Sequence, residues 1–465
     1  MSLIKAEINK LLDLFNQGLF REVLRKSDDL IKEFSSEKFL FKLQGVCHME
    51  LNEFALAEKK FKEFLVLDQN DPEIFNNLGI LFHRQSQYQK SLTNFTKAIS
   101  LDKNYFNAFN NLGCLFRDYG LFNDAIKTFR DGLAINSENV ELHQNLSHCL
   151  LITRQFETGS LEYNWRWTIN QIIEKNSLLN SKKMWDGKDY NIRLLLWREQ
   201  GLGDEIFFLN FLRNLRKKIK AIKVIIDRRL KNIYEESFPE ITFYVEQKNL
   251  LKADFDYHLP IGNLIEVLHH REDFLSYKNT PYLLSDKHKV NSFKEELPKE
   301  KKIIGIAWKT LNKAGTLDSK SIDISIFGKL LKDKNCVIVP LQYGDVQSEL
   351  GILRDRYGLE IFEFPKVNRW SDIDGLAALI DSCHLVISSS NSIVHLAGAL
   401  KKPTKAFLPL VPSFWWSDDG KENAWYESVQ LYRQKELESW SEPYYDIKND
   451  IEIFFDSNVK RYLEQ

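Results

Sequence analysis

Several things are scarce in this sequence of 465 residues, and each scarcity closes off a class of protein. Charge of one sign is not in excess: 64 Lys plus Arg stand against 65 Asp plus Glu, a formal net charge of −1. Proteins that coat nucleic acid or an anionic membrane carry a basic surplus, so neither partner is expected here. No run of 18 apolar residues occurs, so no membrane span is expected. The first ten residues lack the unbroken apolar centre of a secretion signal, which predicts a cytoplasmic protein. Cysteine is sparse, odd in number and scattered (Cys47, Cys114, Cys149, Cys336, Cys383), with no CxxC pair. Reduced, mostly buried thiols fit that pattern. His143, His148 and Cys149 are near neighbours, but steps of five and one share no helix face, so no metal site is expected. Disorder is excluded as well, because 43% hydrophobic and 28% charged residues are ordinary globular fractions.

What is present first is a period. Gly45, Gly79 and Gly113 stand 34 residues apart. The same register carries Phe20, Phe54, Tyr88, Phe122 and Phe156, then Phe61, Phe95, Phe129 and Tyr163. Small residues fall at Ala57, Ser91, Ala125 and Gly159, and the words Asn76-Asn-Leu-Gly79 and Asn110-Asn-Leu-Gly113 are identical. This grammar resembles tetratricopeptide repeats. Each unit would be a helix–turn–helix whose small residues let two helices approach while aromatics fill the gap to the next unit. About four units are predicted over 1–160, stacked as an α-solenoid. The concave face of such an array binds peptides or proteins. Asn76, Asn77, Asn110, Asn111 and Asn145 are expected to lie exposed on it, where an amide can bond a backbone in either direction.

After about residue 190 the pattern changes. An aromatic helical connector (161–190) leads into short apolar runs alternating with amphipathic stretches. Strands are predicted at 192–197, 222–227, 241–245, 303–308, 337–341, 384–388 and 404–408, with helical patterns between several of them. The fold class expected is therefore α plus α/β. A polar stretch around 285–302 divides the α/β part into halves at 191–290 and 300–445, and 446–465 forms a tail helix. Two doubly wound domains facing one another leave a cleft at the carboxyl ends of their strands.

Candidate chemistry sits at those ends. The first strand runs into Trp197-Arg-Glu-Gln-Gly-Leu-Gly-Asp-Glu205. Gly201 and Gly203 permit a tight turn and close approach of a ligand, with Glu205 on the same acceptor-side loop. The full GxGxxG is absent, so a dinucleotide site is not expected. Asp204 reads either as a helix cap or as a general base at the cleft mouth. In the second half, Lys309 follows a buried strand and could reach a phosphate. The turn Ser390-Asn-Ser392 opens a helix and offers hydroxyls, an amide and free N–H groups, a seat for a diphosphate; His395 is on its first turn.

At these residues the chain becomes recognisable. The part from about 160 to 445 resembles a glycosyltransferase-like domain of the GT-B fold, with two Rossmann-like halves, related to the heptosyltransferases of glycosyltransferase family 9. The matching words are Tyr163-Asn-Trp-Arg-Trp167, Leu196-Trp-Arg-Glu-Gln-Gly-Leu-Gly-Asp-Glu205, Ala307-Trp-Lys309, Leu341-Gln-Tyr-Gly-Asp345, Asn391-Ser-Ile-Val-His-Leu-Ala-Gly-Ala-Leu400, Trp425-Tyr426 and Leu431-Tyr-Arg-Gln434. The resemblance implies that Asp204 deprotonates the acceptor, that Lys309 contacts donor phosphates, and that Ser390, Asn391 and His395 bind donor sugar and phosphates. Ser390 stands where the family has Asp and Asn391 where it has Thr, so an ADP-heptose donor is not expected. The expected activity is sugar transfer from a nucleotide-sugar co-substrate to a protein acceptor recruited by the repeats. No Asp-x-Asp word of the kind metal-dependent transferases use to hold a diphosphate is read in the sequence, Asp372 and Asp374 reading as helix caps, so no metal is expected. Two rivals are an inactive repeat scaffold whose α/β half only binds, and a sugar-nucleotide epimerase.

Overall fold

The computed structural model describes residues 2–170, 182–245, 254–276, 280–310, 320–417, 420–437 and 439–456. The chain divides into two compact units, Met1–Cys149 and Leu150–Gln465.

The first unit is a helical repeat. Its helices are α1 (Ser2–Asn16), α2 (Phe20–Glu33), α3 (Lys38–Glu50), α4 (Phe54–Leu67), α5 (Pro72–Arg84), α6 (Tyr88–Leu101), α7 (Phe106–Asp118) and α8 (Phe122–Ile135), with α9 (Val140–Ile152) running across the division. From α3 to α8, helices of 13 and 14 residues alternate, as the 34-residue period predicts. The periodic glycines have a steric cause. A Cβ on Gly45, Gly79 or Gly113 would lie 2.3, 2.4 or 2.3 Å from a ring carbon of Phe61, Phe95 or Phe129. Those three rings are fully buried. Only hydrogen at the glycine lets the ring of the second helix seat against the first. Where the pair needs a start signal, the sequence supplies one. Asp71 accepts from the N–H groups of Glu73 (2.9 Å) and Ile74 (3.3 Å), ahead of Pro72 in the first turn of α5.

The asparagines correct an expectation. They are not exposed: Asn76 and Asn110 are buried, and Asn77, Asn111 and Asn145 are half-buried. Asn111 Nδ2 donates to Asn76 Oδ1 (2.8 Å), and Asn145 Nδ2 donates to Asn110 Oδ1 (3.0 Å). Asn110 also donates to Glu141 (2.9 Å), and Arg117 donates to Asn145 (2.6 Å). The repeat period puts one Asn beside another in the next unit, and paired amides satisfy each other.

In the second unit, α10 (Phe156–Tyr163) lies within the register of the repeats, with Gly159 close against Leu150 and Leu151 of α9, and it also packs onto the α/β part. The Phe156 ring is 5.4 Å from Phe274 and 5.9 Å from Trp425. The expected limit of the repeats at 160 and the division at 149/150 differ for this reason. Beyond it lie two sheets in which every strand pair is parallel. The first holds β1 (Lys183–Met184), β2 (Arg193–Trp197), β3 (Ala221–Ile225), β4 (Thr242–Tyr244) and β5 (Tyr257–Pro260), in the order β1-β5-β2-β3-β4. The second holds β6 (Lys302–Ala307), β7 (Cys336–Pro340), β8 (Glu360–Ile361), β9 (Leu385–Ser389), β10 (Thr404–Leu408) and β11 (Val429–Arg433), in the order β11-β10-β9-β6-β7-β8. Strands β7, β9 and β10 are buried throughout, as parallel strands covered on both faces must be.

The seven predicted strands are all present, displaced by no more than two residues at either end. The strand order reverses between β2 and β5 in one sheet and between β6 and β9 in the other. Loops leaving β2 and β9 therefore open where ligands bind in this architecture. Helix Ser441–Phe455 follows β11; connector residues 171–181 and tail residues 457–465 lie outside the described residues. Among the described residues no helix is long and apolar enough to cross a membrane, and none of the five cysteines forms a disulfide.

Candidate functional site

The loop leaving β2 is held from below by the aromatic word of the connector. Arg166 lies between the rings of Tyr163 and Trp167, 4.0 Å from each centroid. Its Nε and Nη2 both donate to the buried carboxylate of Glu199 at 2.8 Å, and Nη2 also reaches Asn263 Oδ1 at 2.5 Å. The Gly262 N–H donates to Glu199 as well (3.0 Å), and a Cβ on Gly262 would sit 2.5 Å from that carboxylate. Gln200 donates to the Tyr163 hydroxyl. A paired, stacked guanidinium thus fixes the two residues that precede the glycine turn.

Helix Leu202–Leu209 follows, with Gly201 as its N-cap. Asp204 is its third residue and accepts the Gly201 N–H at 3.1 Å. Burial pushes the Asp204 carboxyl up to about 6, against the pull of the Gly201 N–H and the Lys320 charge. Both sequence readings of Asp204 therefore meet in one side chain: it reaches back to the helix start, and its acidity suits a proton acceptor near neutrality.

The loop leaving β9 arrives at the same place. A Cβ on Gly203 would be 3.5 Å from His395 Cδ2 and from the Cα and Cβ of Ser392. Gly203 is thus approached by the opposite half of the α/β unit, where the sequence suggested a ligand. Helix Ser392–Ala399 is capped by Asn391, whose side chain accepts from the Ile393 N–H at 2.9 Å and donates to Ser389 Oγ at 3.2 Å. Ser390 is buried and accepts from Trp416 Nε1 at 2.9 Å. His395 is buried and stacked on Trp416 (4.6 Å, 17°), with Nδ1 3.2 Å from the Tyr426 hydroxyl. Burial lowers its pKa to about 3, helped by the Lys320 charge, so it is neutral and cannot serve as a cationic phosphate partner. Trp415 and Trp425 join the same cluster, at 5.3 and 5.1 Å from the Phe207 ring.

One more expectation is corrected. Glu205 is not on a loop surface: it is fully buried, paired with Arg198 (2.9 Å) and accepting the Asp227 N–H (2.6 Å). Lys309 is paired with Glu349 and 3.4 Å from the Asp345 carbonyl oxygen, so its charge is already met. The cation that faces the turn is one that sequence reasoning missed, Lys320. It is half-buried, its charge acts on both Asp204 and His395, and its Nζ donates to Ser413 Oγ at 3.3 Å. Burial lowers its pKa, with Asp204 opposing. The chain beside it, 311–319, lies outside the described residues. Among the described residues no three His, Cys, Asp or Glu stand together as a metal site would need.

The structure thus brings Gly201, Gly203, Asp204, Ser390, Asn391, Ser392, His395 and Lys320 to one junction between two parallel sheets. A helical-repeat region followed by a parallel-sheet α/β region is the class of protein these observations define. No family model matches the chain. Over 275 residues it is 28% identical to protein FlbA of Caulobacter vibrioides, a match covering 55% of this chain and 46% of that protein. The chain therefore spans about half the length of this curated relative. Solved structures similar to it include MamA (18% identity, 35% of this chain and 96% of that one, TM-score 0.31). PilW, a widely conserved type IV pilus biogenesis factor, is similar too (18%, 37% and 80%, TM-score 0.33). So is YrrB, a TPR protein with an unusual peptide-binding site (16%, 36% and 85%, TM-score 0.29).

Proposed function

We propose that the protein is a glycosyltransferase of the GT-B kind that moves a sugar from a nucleotide-sugar donor to a protein acceptor gathered by the helical repeats. The observation that carries the reading is the junction of Asp204 and Lys320 at the carboxyl ends of two parallel sheets, at the switch point of each. Asp204, with its carboxyl near 6, is ionised at neutral pH and basic enough to accept a proton. It takes the proton of the acceptor hydroxyl while that oxygen bonds to the anomeric carbon. The bond from that carbon to the donor phosphate breaks, and its electron pair leaves with the nucleotide. Lys320 and the positive end of helix Ser392–Ala399 meet the charge that develops on the phosphates. The donor and acceptor classes come from the resemblance, and fold analogy names neither.

The test is Asp204→Asn, assayed for transfer with purified acceptor and a panel of nucleotide sugars. A loss of roughly 10²–10⁴-fold with donor binding retained is expected; transfer at the wild-type rate would remove Asp204 from the mechanism. A second reading is favoured by a specific observation. Lys309, Ser390 and Asn391 already have partners within the chain. On that reading the α/β unit binds a nucleotide sugar without turning it over. Lys320-dependent release of free sugar from the donor would exclude it.

A further inference from the structure

Five helix–helix turns in this chain are built alike. Gly18, Asn52, Ser86, Gly120 and Arg154 keep the 34-residue period, and each has a left-handed backbone, with φ of 74, 58, 57, 74 and 61°. Their N–H groups donate to the carbonyls of Phe15, Met49, His83, Arg117 and Leu151, at distances between 2.9 and 3.1 Å. The N–H of the following residue closes the end of the helix each time, on Leu14, His48, Phe82, Phe116 and Leu150, between 2.8 and 3.0 Å. Glycine takes such a backbone without strain, and a short polar residue takes it at little cost. Arg154 is the odd member, because a long side chain gains nothing from a left-handed turn.

The reason lies at the far end of its side chain. Arg154 Nε donates to Ser417 Oγ at 3.1 Å. Ser417 is buried and has φ 58° and ψ 175°, a combination that glycine ordinarily supplies. Two residues held at glycine angles, 263 positions apart, thus meet through their side chains. Such conformations persist where the surroundings over-determine them, and they gather at functional sites. Ser417 closes a short turn that starts at Ser413: the Trp416 N–H donates to the Ser413 carbonyl (3.0 Å) and the Ser417 N–H to that of Phe414 (3.3 Å). The other residues of this turn face the junction. Ser413 Oγ accepts from Lys320 Nζ (3.3 Å), and Trp416 donates to Ser390 (2.9 Å) and stacks on His395. Trp415 lies against Phe207 of the opposite half, at 5.3 Å. The turn is therefore tied to Arg154 at one end and carries the partner of Lys320 at the other.

We infer that Arg154 is a positioning residue: by holding Ser417 it fixes the turn Ser413–Ser417, and through that turn the place of the Lys320 ammonium at the junction. What Lys320 does there rests on the glycosyltransferase reading above, whereas its placement by Arg154 does not. The last turn in the register of the repeats thereby sets the geometry of the α/β site.

The experiment is the pH profile of Lys320 acetylation by acetic anhydride, followed by mass spectrometry on the full chain without ligand. Burial holds the Lys320 amine below the ordinary lysine range, with the Asp204 charge opposing and a neutral His395 nearby. The proteins compared are the wild type, Arg154→Gly, Ser417→Gly, the double variant and, as control, Asn52→Gly. Each substitution puts glycine where φ is already positive, so the fold is expected to stand. In Arg154→Gly the midpoint of the profile should rise by roughly 0.5 pH or more, as the turn loosens and the amine meets water. Ser417→Gly should raise it alike, and the double variant no further than either alone. Asn52→Gly should leave it in place. A midpoint unmoved or lowered in Arg154→Gly would confine the residue to its own turn and overturn the inference. Should that variant not fold, an unmoved midpoint in Ser417→Gly would do the same. Additive shifts in the double variant, or an equal rise in Asn52→Gly, would show that Arg154 does not act through Ser417 and would overturn it too. No nucleotide takes part, so this result and the transfer assay on Asp204→Asn succeed or fail separately.

Discussion

The two units of this chain are stabilised in opposite ways. In the repeats, each lock is local and is made again every 34 residues: a glycine in one helix, a phenylalanine sixteen positions on in the next, and an asparagine pair between units. In the α/β unit, the contacts that matter join residues far apart in sequence. Arg166 holds Glu199 and Asn263, and a Cβ on Gly203 would touch Ser392 and His395. Local locks give stability that adds up unit by unit. Non-local ones make a whole region depend on a few residues. They also permit something that repetition does not, a carboxylate and a cation from different halves of a fold meeting at one point.

That contrast is open to direct attack. The largest effect is expected from Arg166→Ala. It strips the partner from a buried carboxylate and should cost about 3–5 kcal/mol. Hydrogen exchange should rise across the whole first sheet, β1 to β5. If exchange rose only near residues 163–167 and 199, the non-local account of this unit would be wrong.

Gly113→Ala should cost about 1–3 kcal/mol, because a methyl group cannot share space with the Phe129 ring. Its exchange signature should stay within α7, α8 and their immediate neighbours. Spread of faster exchange from α1 to α8 would show that the repeats act as one cooperative block.

The smallest effect concerns pH. His395 is neutral in the folded chain, with its pKa lowered to about 3. The unfolded chain, near 6.5, binds the proton first as pH falls. Its contribution is thus complete above pH about 6.5 and is lost as pH falls toward 3. From pH 7 to 5.5 the loss is roughly 1 kcal/mol. Asp204 works the other way, since its raised carboxyl costs stability as pH rises toward 6. The informative quantity is the difference between wild type and His395→Phe across that range, by denaturant titration. Parallel pH profiles for the two proteins would contradict a buried neutral histidine.

Much of the fold was legible in the sequence because its signals are periodic. The columns at Gly45, Gly79 and Gly113 announce a steric lock, and runs such as Leu194 to Trp197 announce strands buried on both faces. Strands β1 and β8 have two residues each and carry no pattern. In β11 the run Val429-Gln-Leu-Tyr-Arg433 mixes polar with apolar residues, and β5 includes His258 and ends in Pro260. Of the site, Asp204 and the turn at Ser390 to Ser392 were legible because loops after strands in this architecture face ligands. Their partners were not. Nothing in the sequence tells that Glu349 pairs Lys309 or that Trp416 pairs Ser390, since those residues are 40 and 26 positions away. Lys320 lies in a polar stretch without periodicity, and only three-dimensional proximity to Asp204 marks it out. The word Tyr163-Asn-Trp-Arg-Trp167 was visible, but its purpose, holding Glu199 and Gln200, is a property of the folded chain.

The central claim is that the junction of Asp204 and Lys320 is a nucleotide-sugar site. Thermal unfolding of the full chain against sugars linked to guanosine, cytidine, adenosine and uridine nucleotides tests it most directly. A ligand at a hundred times its Kd stabilises the native state by about 2.7 kcal/mol. The account predicts a clear rise in midpoint with at least one member of the panel, and no rise in Lys320→Ala. A wild-type midpoint unmoved by every nucleotide sugar, or a rise that survives Lys320→Ala undiminished, would contradict it.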